Sequence, residues 1–125
     1  MKITRVFADE HGESHFEDVK IALADAGAIG RLSERVPASA VIFRTNEPNY
    51  DYDWHPAPER QLIVLLDGSI EIEVSSGERR TFAGGDVLLV EDTEGRGHRT
   101  RNVEARERRS IFVLLGPRRE SGGPL

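Results

Sequence analysis

The sequence predicts an all-β fold, a sandwich or barrel of short strands, and three observations carry that prediction. Apolar residues come in brief runs or in alternation with polar ones, the period of a strand with one buried face. Glycine, asparagine, aspartate and serine punctuate those runs every several residues. No stretch keeps apolar residues at helical spacing long enough to make a long helix.

Taken in order, residues 3–7 and 15–23 read as strands, while 22–34 is rich in Ala and Gly and can hold a short helical turn before Pro37. Residues 38–44 form the next strand through Val41, Ile42 and Phe43, and Asn46-Glu47-Pro48-Asn49 breaks it. The nearly continuous apolar run 61–66 ends in Asp67-Gly68, whose tolerance of positive φ predicts a two-residue hairpin into 69–75. There Ile70, Ile72 and Val74 alternate with Ser69, Glu71 and Glu73, so the hairpin has one dry face. Ser76-Gly77 and Gly84-Gly85 bracket a short strand at 79–82, and 86–91 is apolar through positions 87 to 90. Strands at 98–102 and 110–115 complete a single domain expected over 1–116, with 117–125 as a frayed tail.

A domain of 125 residues buries roughly two-thirds of the surface of its unfolded chain, enough for a core without staples. The absence of cysteine excludes disulfides, thiolate metal sites and a cysteine nucleophile. Against 22 acidic residues there are 17 lysines and arginines, a net charge of −5 that offers no footprint for nucleic acid. Lys2, Arg5 and Asp9 interrupt the N-terminus, which has no apolar core of signal-peptide or membrane-span length, so a cytoplasmic protein without a membrane partner is expected.

The order His55, Gln61, Gly68, then Gly85, Gly95, His98, Asn102 resembles the two signature motifs of the cupin superfamily. The first motif has two histidines one residue apart, a glutamate and a glycine; here His55 and Gly68 match, Gln61 replaces the glutamate and Ala57 the second histidine. In the second motif Gly95, His98 and Asn102 match, Thr93 stands in place of a proline, and the stretch from Gly85 to Thr93 is two residues longer than the pattern. The resemblance implies a jelly-roll β-barrel, commonly a homodimer, with a metal held by three histidines and a glutamate. This chain would then offer His55, Gln61 and His98 to a divalent metal such as Zn, Fe, Ni, Mn or Cu, with one imidazole and the only carboxylate missing.

Strand alternation supports the same cluster without the name. His55, Ala57, Glu59, Gln61, Ile63 and Leu65 share a face if no bulge intervenes, and so do His98, Thr100 and Asn102. His55, His98, Gln61 and Glu59 are therefore the candidate catalytic residues, Glu59 being the one whose facing a bulge at Pro56 and Pro58 would change. Imidazoles that titrate near neutrality suit proton abstraction beside a carbonyl, so the expected activity is isomerase, cyclase or lyase chemistry on a small oxygenated molecule. A metal-dependent dioxygenase is the second enzymatic reading, and a non-catalytic ligand-binding or sensory barrel is the rival class.

Tyr50, Tyr52 and Trp54 alternate before His55 and so share a face with one another but not with it. Phe43 and Arg44 lie on a strand that can line the cavity, where an inward arginine would suit a carboxylate or enolate. Glu91-Asp92-Thr93 reads either as acid–base carboxylates or as turn caps, and 104–109, with Arg106, Arg108 and Arg109, reads as a solvated loop.

Overall fold

The computed structural model describes residues 1–118 and 125. Its strands are β1 (Lys2–Ala8), β2 (Ser14–Lys20), β3 (Ala24–Asp25), β4 (Arg31–Leu32), β5 (Ala40–Asn46) and β6 (Asp51–His55), followed by β7 (Gln61–Leu65), β8 (Ser69–Val74), β9 (Arg79–Ala83), β10 (Val87–Val90), β11 (His98–Asn102) and β12 (Arg108–Leu114). The expected helical turn is a single 3₁₀ turn, Gly27–Ile29, flanked by the two-residue pair β3–β4. Among the described residues no helix is long and apolar enough to cross a membrane. The expected tail falls mainly on 119–124, outside the described residues.

Two sheets face each other. One has six strands in the order β2-β1-β10-β7-β12-β5, the other four in the order β6-β11-β8-β9. This is the expected all-β jelly-roll sandwich. The hairpin predicted at Asp67-Gly68 does not form, because β7 and β8 lie in different sheets and the turn carries the chain across the sandwich. Only Gly68 there has positive φ, 66°, whereas the two-residue turn would need it at both positions. Asp67 instead accepts from the Arg109 backbone N–H at 2.6 Å and from Arg109 Nε at 2.7 Å, which ties the crossing to β12.

Burial explains why some strands read as continuous apolar runs and others as alternating. In β10, Leu88 and Val90 face the interior between the sheets with Val6, Leu65, Ile70 and Ile72, while Val87 and Leu89 pack outward with Ile3, Val19, Ile21 and Leu115. Both faces of that strand are dry, so every position is apolar. In β8, Ile70, Ile72 and Val74 point inward, and Glu71 and Glu73 pair with Arg101 and Arg79 on the outer face of the smaller sheet.

Register shifts once where it matters. Along the β6–β11 ladder His55 stands opposite His98, but Tyr52 stands opposite Thr100, so β6 spends three residues where β11 spends two. That bulge at Asp53–Trp54 reverses the alternation expected for β6. Tyr50 and Tyr52 come to the same interior as His55, and Trp54 turns out to meet Arg99, whose guanidinium lies 6.0 Å from its ring centre.

Candidate functional site

Between the sheets lies a cavity of about 270 Å³. All four candidate site residues, His55, Glu59, Gln61 and His98, line it. So do Ala57, Ile63 and Leu65, which confirms the shared face although the strand breaks at 56–60 and resumes in the opposite sheet. The Ala57 N–H donates to the Asp92 carbonyl at 2.9 Å, which holds this connector against the end of β10. Glu59 stays exposed at the rim and makes no hydrogen bond to the described residues. Gln61 is buried, yet no described group bonds its carboxamide.

The two imidazoles converge, with ring centres 4.6 Å apart. His98 is 6% exposed, and its Nδ1 is 2.7 Å from Asp92 Oδ2, an oxygen that also accepts from Ser14 Oγ at 2.8 Å. Asp92 is fully buried and its second oxygen has no partner. A carboxylate oxygen accepts, so the His98 proton sits on Nδ1 and the lone pair on Nε2. The same holds for His55, whose Nδ1 donates to the Asp53 carbonyl at 2.7 Å while the Tyr52 ring packs 3.9 Å from it.

Burial pushes the His55 pKa below its ordinary 6.5, and the charge of Arg44, and of His98 where it is protonated, adds to that, against the Asp53 carbonyl and Asp92. The neutral ring is therefore the resident form at neutral pH. We expect the His55 titration followed by NMR to have its midpoint below 6.5. The corresponding stability is fully present above 6.5 and is lost as pH falls from 6.5 through the depressed value, because the unfolded chain takes up that proton first.

A second set of groups lines the cavity. Arg44 Nη2 donates to the Tyr50 hydroxyl at 3.1 Å, and the guanidinium carbons of Arg44 and Arg108 lie 5.3 and 5.2 Å from the Tyr50 ring centre. Asn102 accepts from Arg108 Nε at 2.6 Å and donates to the carbonyls of Glu47 and Pro48 at 3.0 and 3.1 Å, fixing the loop between β5 and β6. Arg108, read from sequence as part of a solvated loop, is only 4% exposed. Counting back by twos from Phe112 on β12 would have placed it inside. Arg44 does face the cavity, but Phe43 is 80% exposed.

The donors present fit a divalent metal poorly. Among the described residues no three of His, Cys, Asp and Glu gather as a metal site. Two Nε2 atoms and a carboxamide are left, Asp92 is turned to the far side of His98, and the guanidiniums of Arg44 and Arg108 share the cavity. Such a set lacks both ligand number and negative charge.

The sequence matches no family model and no curated protein. Among solved structures it is similar to the cupin domain of Cnp3 from Schizosaccharomyces pombe, with 14% identity over 92% of this chain and 84% of that one and a TM-score of 0.51. It is also similar to a cupin 2 conserved barrel domain protein from Leptotrichia buccalis, with 17% identity over 82% of this chain and 44% of that one and a TM-score of 0.47. At these identities the likeness speaks for architecture. The two facing sheets and the match to the Cnp3 domain together establish that this chain has the cupin fold.

Proposed function

We propose that the protein is an acid–base enzyme of the isomerase, cyclase or lyase type, acting on a compact oxygenated molecule inside the sandwich. One observation carries the reading: a buried Asp92–His98 pair that presents a free Nε2 beside a second imidazole in a largely apolar-walled cavity. In the proposed step His98 Nε2 takes a proton from the carbon next to a substrate carbonyl, the C–H electron pair becomes the enolate, and the imidazolium returns the proton at another atom. Asp92 supports the transient imidazolium. Neutral His55 accepts a hydrogen bond from a substrate hydroxyl at Nε2. Gln61 has a donor that the family's glutamate lacks, and its N–H suits the developing enolate oxygen.

Exposure of Glu59 favours a second reading, ligand capture without turnover, since the expected second carboxylate stands outside the reacting volume. The donor shortfall described above argues against the dioxygenase reading. To decide between the first two, small 2-oxo and hydroxy carboxylates are incubated with the full chain in D₂O and deuterium uptake beside the carbonyl is followed by NMR. Catalysed exchange, reduced by about 10²–10⁴ in His98→Gln, is the expected outcome. Binding without any catalysed exchange would leave only the capture reading.

The homodimer is also a proposal. β5 is the edge of the six-stranded sheet, and its outward Val41 and Phe43 are 55% and 80% exposed. Antiparallel pairing of this edge with itself would be two-fold symmetric and would close both free edges. Light scattering should give twice the monomer mass for the native chain and the monomer mass for Phe43→Glu.

A further inference from the structure

We propose that Arg44, Arg108 and Tyr50 form a carboxylate clamp in the cavity, so that the molecule held beside the imidazoles is an organic acid. This rests on the cavity being the small-molecule site and names the class of its occupant. Arg108 is 4% exposed, and among the described residues neither it nor Arg44 has a carboxylate within ion-pair distance. Most other arginines of this chain do. Arg5, Arg60, Arg79, Arg80, Arg96, Arg99, Arg101, Arg109 and Arg118 each have an acidic partner.

A buried cation without a counter-ion is unfavourable, and two such cations flanking one tyrosine ring repel each other as well. The arrangement holds together through neutral partners. Asn102 grips Arg108 by Nε alone, leaving both of its terminal nitrogens without a described acceptor. The Tyr50 hydroxyl accepts from Arg44 and keeps its own proton to give. Ser110 and Asn46, cross-strand neighbours of Arg44 and Arg108, are 2% and 7% exposed, and their Oγ and Oδ1 have no partner.

Two forked donors and a hydroxyl match the lone pairs of a carboxylate. The adjoining walls, Ile63, Ile72, Phe112 and Leu114, are hydrocarbon, which suits the carbon body of an acid and not a bare inorganic anion. His98 and His55 line the same cavity, so an acid gripped by its carboxylate presents its neighbouring carbons to them.

The full chain is titrated with pyruvate, malonate and benzoate, with malonamide and benzamide as uncharged counterparts, and with inorganic phosphate, following backbone amide shifts by NMR. At least one carboxylate should saturate, its amide should bind at least roughly ten-fold more weakly, and Arg44→Gln and Arg108→Met should each weaken the acid by roughly ten-fold or more. Arg44→Gln is the safeguard should the buried Arg108 variant fold poorly, since Arg44 is only partly buried. The clamp is overturned if no carboxylate saturates, if acid and amide bind alike, if Arg44→Gln keeps full affinity, or if phosphate saturates and the acids do not. His98→Gln separates the two proposals, because it should keep carboxylate binding while losing exchange. Acids that bind the native chain without exchange would remove the acid–base reading and leave the clamp, and exchange on neutral ketones with no preference for acids would do the reverse.

Discussion

Asp92→Asn is expected to slow deuterium exchange by about 10²–10⁴ at neutral pH while the fold persists. In the proposed reaction Asp92 acts as a positioning residue; it is fully buried, and its Oδ2 receives both Ser14 Oγ and His98 Nδ1. An amide of the same shape has one accepting oxygen. At the unpartnered Oδ1 side an NH₂ would be a buried donor with no acceptor, whereas at the Oδ2 position it donates to both Ser14 Oγ and Nδ1, which must then accept, and the His98 proton moves to Nε2. The free lone pair is lost although no atom of the cavity wall is missing. Nitrogen chemical shifts of His98 report this directly, with the proton on Nδ1 in the native chain and on Nε2 in the variant. An unchanged tautomer with an unchanged rate would reduce Asp92 to a packing group.

Gly97→Ala should destabilise the protein by about 3 kcal/mol or more, measured by urea unfolding. Gly97 has φ of 77°, a left-handed conformation that side chains disfavour, and a Cβ there would fall on the His55 carbonyl and within 2.6 Å of Pro56 N. Neither neighbour is the free end of a side chain, so backbone must shift, and the shift pushes β6 away from β11 at the paired histidines. Gly85→Ala serves as the control. Its φ is 96°, but nothing lies within 4 Å of the added atom, so a loss nearer 1 kcal/mol is expected. Equal losses in the two variants would mean that contact with His55 plays no part.

The architecture was legible because short strands and turn residues are local signals, and β8 and β10 carry their burial openly in their letters. Pairing was less so. Asp67-Gly68 has hairpin composition, and only the competing attachment to Arg109 and the placement of β7 and β8 in separate sheets reveal a crossing. The histidines, Gln61 and the row from His55 to Leu65 were legible from period-two counting, which survives the passage between sheets because both inner faces look onto one interior. Arg108 was hidden by its setting, a charged stretch whose neighbours Arg106 and Arg109 are exposed. Asp92 could be read as acid or cap, and its side chain meets His98 Nδ1 and Ser14 Oγ rather than a turn backbone donor. Tyr50 and Tyr52 read as lying off the His55 face because a bulge leaves no mark in residue type.

That single surplus residue in β6 acts as a phase shift. Upstream of it the odd and even positions exchange duties, so the same letters paired with β11 without the bulge would send the phenols of Tyr50 and Tyr52 to the face away from His55. Column-by-column transfer of roles between chains that differ in this bulge would then match letters that stand on opposite walls. For this architecture which side chains line the cavity is decided by strand register as well as by residue type, so the wall can be altered by shifting the bulge with no side chain replaced.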